Sequence, residues 1–216
     1  MLSLYIVAQN DLSNRDHLMK PLELEVFSCR SDNYGVLVHD PESGLTASID
    51  APEEQPILDA AARRGWKLTH IFTTHHHGDH VEANLALKEK FGLEIIGPVN
   101  EAVAIPGLDR TMADGDEFHF GEHAVRVIET PGHTAGHYSM MVELANRRPM
   151  LFTADACYSQ KNMDMMCISS FHLDPVGSLN SMKRLKALAE KHDAELFYSH
   201  DLESFKKYQT GPAFYS

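Results

Sequence analysis

Cysteine is scarce in this chain: three in 216 residues, Cys29, Cys157 and Cys167. An odd, scattered set of this kind excludes a disulfide framework and points to a reducing cytoplasm. No apolar run approaches the roughly 20 residues that cross a bilayer. The first residues, MLSLYIVAQNDLSNRD, have neither a basic leader region nor a small-residue cleavage site, so no secretory signal is expected. Basic residues are also few. Lys and Arg total 19 against 31 Asp and Glu, a formal net charge of −12. Such a surface repels phosphate backbones and argues against nucleic acid as a partner. Repeats, low-complexity tracts and Gly/Ser linkers are missing. With 43% hydrophobic and 23% charged residues, disordered and fibrous classes are excluded. The length fits a single domain over 1–216, with 1–21 as a polar, irregular lead-in ending at Pro21.

Histidine is abundant: there are 14, four of them between positions 75 and 80. Alternating apolar residues predict strands at ELEVFS from Leu22, at YGVLVHD and at LTASID, with turn chemistry at residues 40–44 between the last two. A helix is expected over residues 56–65, closed by Gly65. The short apolar strand 68–73 delivers the histidine cluster at its end, and a helix is expected over 81–91, stopped by Gly92. Further strands are read at LEIIGP, in a hairpin turning at Gly121-Glu122, at 138–144 and at 150–153. Asp174-Pro175 is an N-cap and first-turn pair for a helix to about Lys191. AELFYSH forms a last strand that ends in His200.

In an extended segment residues two apart point the same way, so His75 and His77 can grip one cation. Asp79 and His80 begin the next turn and can face a second cation. Thr130-Pro131-Gly132-His133 puts a histidine on a tight turn, Asp155 follows strand 151–153, and His200 ends the final strand. Imidazole and carboxylate donors without thiolate favour an open, catalytic zinc-type site over a closed structural one. His17, His39, His119, His123, His172 and His192 are read as structural.

HHHGDH, TPGHTAGH, FTADA and FYSHD, in this order, resemble the metallo-β-lactamase-fold hydrolases. The resemblance covers the chain from about residue 22. It implies an α/β fold, an αββα sandwich of two mixed sheets flanked by helices, with two divalent metal ions at the sheet edges. Zinc is the first expectation, and iron, manganese and cobalt suit the same donors. Carried over by motif, His75, His77 and His133 hold the first ion, Asp79, His80 and His200 the second, and Asp155 bridges them. His76 and His137 fall at non-ligand positions.

Within that superfamily the two parts of the chain differ. SDNYGVLVHD, IFTTHHHGDH, KFGLEIIGP and the run to TPGHTAGH resemble glyoxalase II, the hydroxyacylglutathione hydrolase. After Asp155 the likeness passes to the N-acyl-homoserine lactonases: DACY and FHLDPVGSLNSMKRLKALAEKHDAELFYSHD match them, and Tyr158 has their spacing from the bridging Asp. Only 16 residues follow His200, without the helical domain by which glyoxalase II binds glutathione. After His80 the chain reads VEAN where glyoxalase II usually has glycines. The expectation is therefore a dinuclear lactonase that opens N-acyl-homoserine lactones by a metal-bridging hydroxide; the alternative is a glyoxalase II-type thioesterase. The resemblance gives Asp79 the role of proton shuttle and Tyr158 that of hydrogen-bond donor to the substrate oxygen. Met19, Met163, Met165, Met166, Ile168 and Phe171 are candidates to line an acyl trough. Cys157 is expected to be a small buried side chain, not a nucleophile.

Overall fold

Strands buried on both faces read as nearly continuous apolar runs, and most strands of this chain do. In the computed structural model, which describes residues 20–144 and 148–208, they form two sheets. Most of the expected lead-in, with His17 and Met19, lies outside the described residues.

The first sheet runs in the order β1 (Glu23–Cys29), β2 (Asn33–His39), β3 (Thr46–Ile49), β4 (His70–Phe72), β5 (Glu94–Pro98) and β6 (Arg110–Met112). Its first two pairings are antiparallel, and β3 to β6 are parallel. The second sheet has the order β11 (Glu195–Phe197), β10 (Met150–Phe152), β9 (Tyr138–Val142), β8 (His123–Glu129) and β7 (Glu117–Phe120), antiparallel except for β10 with β11.

Alternation along each strand divides the apolar residues into three layers. Val36 and Val38 of β2, Phe72 of β4 and Met140 and Val142 of β9 meet in a core between the sheets. Leu37, Ile71 and Ile95 face outward onto α1 (Glu54–Arg64) and α3 (Asn84–Phe91) through Ile57, Ala60, Ala61 and Leu87. Met141 and Leu151 face the other way, onto Met182, Leu185 and Ala189 of α5 (Pro175–His192). The result is the αββα sandwich of two mixed sheets expected from the sequence. Asp174 caps α5 as predicted, its side chain accepting from the Val176 amide. Among the described residues no helix is long and apolar enough to cross a membrane.

Of the elements that differ from the sequence reading, three bear on the site. The single helix expected over 81–91 is two, α2 (Gly78–Val81) and α3. The break has a cause: the Ala83 amide donates to Ala51 O at 3.0 Å and the Ala51 amide to His80 O at 2.8 Å, so the chain is tied to the end of β3 instead of to its own preceding turn. His200 does not end the last strand. β11 stops at Phe197, and Ser199 O accepts from the Tyr34 amide at 2.8 Å, which draws the following residues across to the β1–β2 turn. The third difference is α4 (Gln160–Met165), a six-residue helix capped by Ser159, which had no expectation.

Candidate metal centre

The parallel strands of the first sheet all end on one side, where open α/β sheets place their ligand sites. Asp50 follows β3, and the segment from Thr73 to Gly78 follows β4. The second sheet contributes from the facing edge: His133 in the turn after β8, Asp155 in a 3-10 turn (Ala154–Ala156) after β10, and His200 beyond β11.

All seven predicted donors come together, in two groups. His75, His77 and His133 form one group and Asp79, His80, Asp155 and His200 the other, the donor atoms within each lying within 4.8 Å of one another. His77 Nδ1 is 3.1 Å from His75 Nε2 and 2.9 Å from His133 Nε2. Asp155 lies between the groups. Its Oδ2 is 3.2 Å from His133 Nε2, while its Oδ1 is 3.2 Å from His80 Nε2 and 3.1 Å from His200 Nε2.

The electrostatics divide along the same line. Burial holds His75 well below the ordinary imidazole range and His133 down to about 4, so these rings are neutral and present lone pairs. In the other group burial also opposes charge, but the carboxylates of Asp155 and Asp50 outweigh it and raise His80. At His200 the bond to Asp155 does the same. Burial alone would raise Asp155; the charge of His80 and the bond to His200 hold it well below the carboxylate range. The buried carboxylates thus demand positive charge at this position, and without a metal only protons supply it. His80 Nε2 carries the sharpest sign of a fit to a cation. It is buried, faces Asp155 Oδ1 and, at 3.5 Å, Asp79 Oδ2, and completes no hydrogen bond.

A second set of groups fixes these rings, and the sequence reading missed most of it. Asp50, in the left-handed region at φ 59°, accepts from the Thr74 amide (2.7 Å) and hydroxyl (2.8 Å) and pairs with His80 Nδ1 at 2.7 Å. That bond keeps the proton on Nδ1 and leaves Nε2 to the site, the arrangement metal-binding histidines require. Thr74 Oγ1 lies 3.0 Å from His75 Nδ1. His137, expected at a non-ligand position, accepts from the Asp155 amide through Nε2 and meets Thr130 Oγ1 through Nδ1. Asn33 donates to Asp79. Asp50 had a legible signal, an acid at the end of a predicted strand; Asn33 and Thr130 had none.

Tyr158 is half-buried, its ring centroid 4.8 Å from that of His200 and 6.0 Å from that of His133. Burial first, then the Asp155 charge, raises its hydroxyl, so it is a neutral donor. His172, read as structural, does bond Ser178 and Ser169, yet its ring also lies 5.2 Å from His133 at the site. Of the proposed trough residues, Met163 belongs to the core under α5, where it packs with Met182 and Leu185. Met165 and Phe171 are exposed. Cys157 is buried, and burial pushes its thiol up to about 12.

The sequence pattern of the Metallo-beta-lactamase superfamily matches residues 40–200. The chain belongs to that superfamily. This metallo-β-lactamase-fold hydrolase is 58% identical over 185 residues to the hydroxyacylglutathione hydrolase of Rhizobium etli, a match covering 85% of this chain and 68% of that protein. Against the Rhizobium meliloti hydroxyacylglutathione hydrolase it is 54% identical over 183 residues, with the same coverage of each. The 185-residue match is longer than the stretch ending at Asp155, so it continues beyond the glyoxalase II-like motifs. Among solved structures, a quorum-quenching N-acyl homoserine lactone lactonase superposes with a TM-score of 0.72 at 24% identity, covering 93% of this chain and all of that one. At that identity the likeness is one of fold.

Proposed function

We propose that this hydrolase cleaves the thioester of a hydroxyacylglutathione. His75, His77 and His133 would hold one divalent cation and Asp79, His80 and His200 a second, with Asp155 between the two groups of donors. The observation that carries the substrate class is the 58% identity to a hydroxyacylglutathione hydrolase over 85% of the chain. This reverses the order expected from the motifs, which placed the lactone first.

The donor set fits the cations: nitrogen and oxygen only, rings oriented by their own partners, and an unpartnered His80 Nε2 facing two carboxylates. When bound, such a pair of cations polarises the substrate carbonyl and lowers the pKa of water toward neutrality. The chain's own groups do the rest. Asp50 holds His80 in one tautomer. Tyr158, a neutral donor at the mouth of the site, gives a hydrogen bond to the substrate oxygen as negative charge develops there. Asp79, steadied by Asn33, is the carboxylate placed to carry a proton to a leaving group. A glutathione thiolate departs without that proton, whereas an alkoxide needs it.

Tyr158 and the exposed apolar Met165 and Phe171 favour a second reading, the opening of a lactone with an apolar acyl chain. Side-by-side kinetics of the zinc-loaded protein on lactoylglutathione and on a medium-chain acyl-homoserine lactone test the order. The expected result is a thioester kcat/KM at least about a hundredfold the lactone value. The inverse ratio would make the lactone the substrate.

A further inference from the structure

One buried acid outside the donor set touches both loops that carry the His75/His77/His133 triad. Glu101 ends the 3-10 turn Val99–Glu101 that follows β5, and it is 5% exposed. Its Oε2 accepts from the His76 amide at 2.7 Å and lies 2.7 Å from His76 Nδ1. Its Oε1 accepts from the Thr134 hydroxyl in a short bond and from the Gly136 amide at 3.1 Å. Both oxygens are thus satisfied, as burial of an acid demands.

The placement of these partners is what matters. His76 lies between the donors His75 and His77. Thr134 follows the donor His133, and Gly136 precedes His137, which in turn accepts from the Asp155 amide. One carboxyl group therefore joins the loop after β4, in the first sheet, to the loop after β8, in the second. The approach is close enough to exclude a side chain at position 136: a Cβ there would sit 2.7 Å from Glu101 Cγ and 2.7 Å from Asn100 Cβ. His77 Nδ1 and His133 Nε2, which come from the two loops, stand 2.9 Å apart. The Tyr138 amide also crosses between the two loops, to Thr74 O at 2.9 Å; Glu101 adds the side-chain link, between His76 and Thr134–Gly136.

We infer that Glu101 is a positioning residue that sets the spacing between His75/His77 and His133, and so the affinity of that triad for its cation. The inference rests on the reading of the triad as a metal site. Metal-site orienting groups typically change affinity or activity by 10- to 100-fold when removed.

The test uses zinc alone, on stripped full-length protein titrated against a chromogenic chelator. Glu101→Gln keeps the shape but sets its amide group against one of two backbone N–H donors, His76 or Gly136, whichever way it turns. Wild type is expected to bind two equivalents. Glu101→Gln is expected to weaken one of them at least tenfold while the other stays within about threefold, with circular dichroism unchanged. Thr134→Val removes one arm of the clasp isosterically and carries the same test should Glu101→Gln fail to fold; a several-fold weakening of the same equivalent is expected. A melting temperature that falls in the variants with both zinc affinities intact would make Glu101 a fold-stabilising group only and overturn the inference. If wild type binds no zinc, the metal-site reading falls and the clasp with it; if wild type binds two and the variants match it, the clasp alone falls.

Discussion

Replacing Asp50 by Asn isolates the orienting role of one buried carboxylate. The substitution adds no backbone strain, because Asn tolerates the left-handed conformation that Asp50 adopts at φ 59°. It is also isosteric, so the packing around position 50 is kept. What changes is the hydrogen-bond polarity. Asp50 receives three donors: the Thr74 amide, the Thr74 hydroxyl and His80 Nδ1–H. An amide in its place offers one acceptor and one donor group. If the nitrogen faces the Thr74 amide, two donors collide; if it faces His80, the imidazole must move its proton to Nε2 and lose the lone pair aimed at the site.

The first outcome leaves a buried donor unsatisfied, at a cost of about 1–3 kcal/mol; the second turns an N–H on Nε2 toward the Asp155 and Asp79 carboxylates and spends its cost on the site. For a domain of this size the first corresponds to a fall in Tm of roughly 4–8 °C for a cost of about 2 kcal/mol. Loss of the carboxylate behind a metal-binding histidine adds a 10- to 100-fold loss of affinity at the His80 position. Thermal melts of the zinc-free protein read the first effect, and chelator competition reads the second. An Asp50→Asn protein that retains zinc as tightly as wild type, with turnover within twofold, would refute the argument that this carboxylate sets the His80 tautomer.

Tyr158→Phe is expected to lower kcat by about 10²-fold with little change in KM, measured on whichever substrate proves better, because the lost donor acts mainly on developing charge. Gly132→Ala should destabilise the turn before His133 by about 3 kcal/mol: the backbone there has φ 132°, and a Cβ would lie 2.3 Å from both the amide nitrogen and the hydroxyl of Ser178. An unshifted melting curve would show that this turn yields. Removing zinc with a chelator should lower Tm, by an amount equivalent to about 4 kcal/mol if the free ion had been a thousandfold above its dissociation constant. Stability should also fall on acidification. Burial lowers His39 and His70, so the unfolded chain binds more protons below its own pKa of about 6.5 and stability drops as pH falls through that range. At Asp40 the bonds from Ser43 outweigh burial and at Asp114 those from Arg184 do, lowering both; their stabilisation is present above about pH 4 and lost below it. A Tm that rose between pH 7 and pH 3 would contradict both assignments.

The sandwich was legible in the sequence because its strands are buried on both faces and its turns are marked. Val36, Leu37 and Val38 read as a strand whichever side each takes. Where an element owes its limits to a distant partner, the sequence was silent. Nothing in residues 78–91 announces that the Ala51 carbonyl will capture the Ala83 amide and divide the helix. Arg110 and Thr111 of β6 are exposed, so that strand has no apolar pattern at all. The same distinction holds at the site. His75, His77, Asp79 and His80 crowd within six residues and announce a metal by density alone. Asp50 and Glu101 are single acids in unremarkable surroundings, and their roles arise only when β3, β4 and the loop after β8 are brought together.

The origin of the donors bears on substrate choice. The first sheet supplies His75, His77, Asp79 and His80 with their orienting partners Asp50, Thr74 and Asn33. The second supplies His133, Asp155 and His200, and with them Tyr158 and the exposed Met165 and Phe171. In the proposed reading, hydrolysis at an acyl carbon uses donors from both edges, so the chemistry belongs to the packed sandwich and is common to thioester and lactone. The groups proposed to meet the rest of a substrate are not shared in this way. Tyr158, Met165 and Phe171 lie after β10, between Asp155 and α5, on a short helix and a loop that meet the second sheet's outer core through Cys157, Met163, Met166 and Ile168. None of these three side chains is among the seven donors, so each can change without replacing one. Selection between acyl substrates is therefore to be sought in residues 157–173, and the ordering of thioester over lactone should respond to substitutions there while the response to zinc does not.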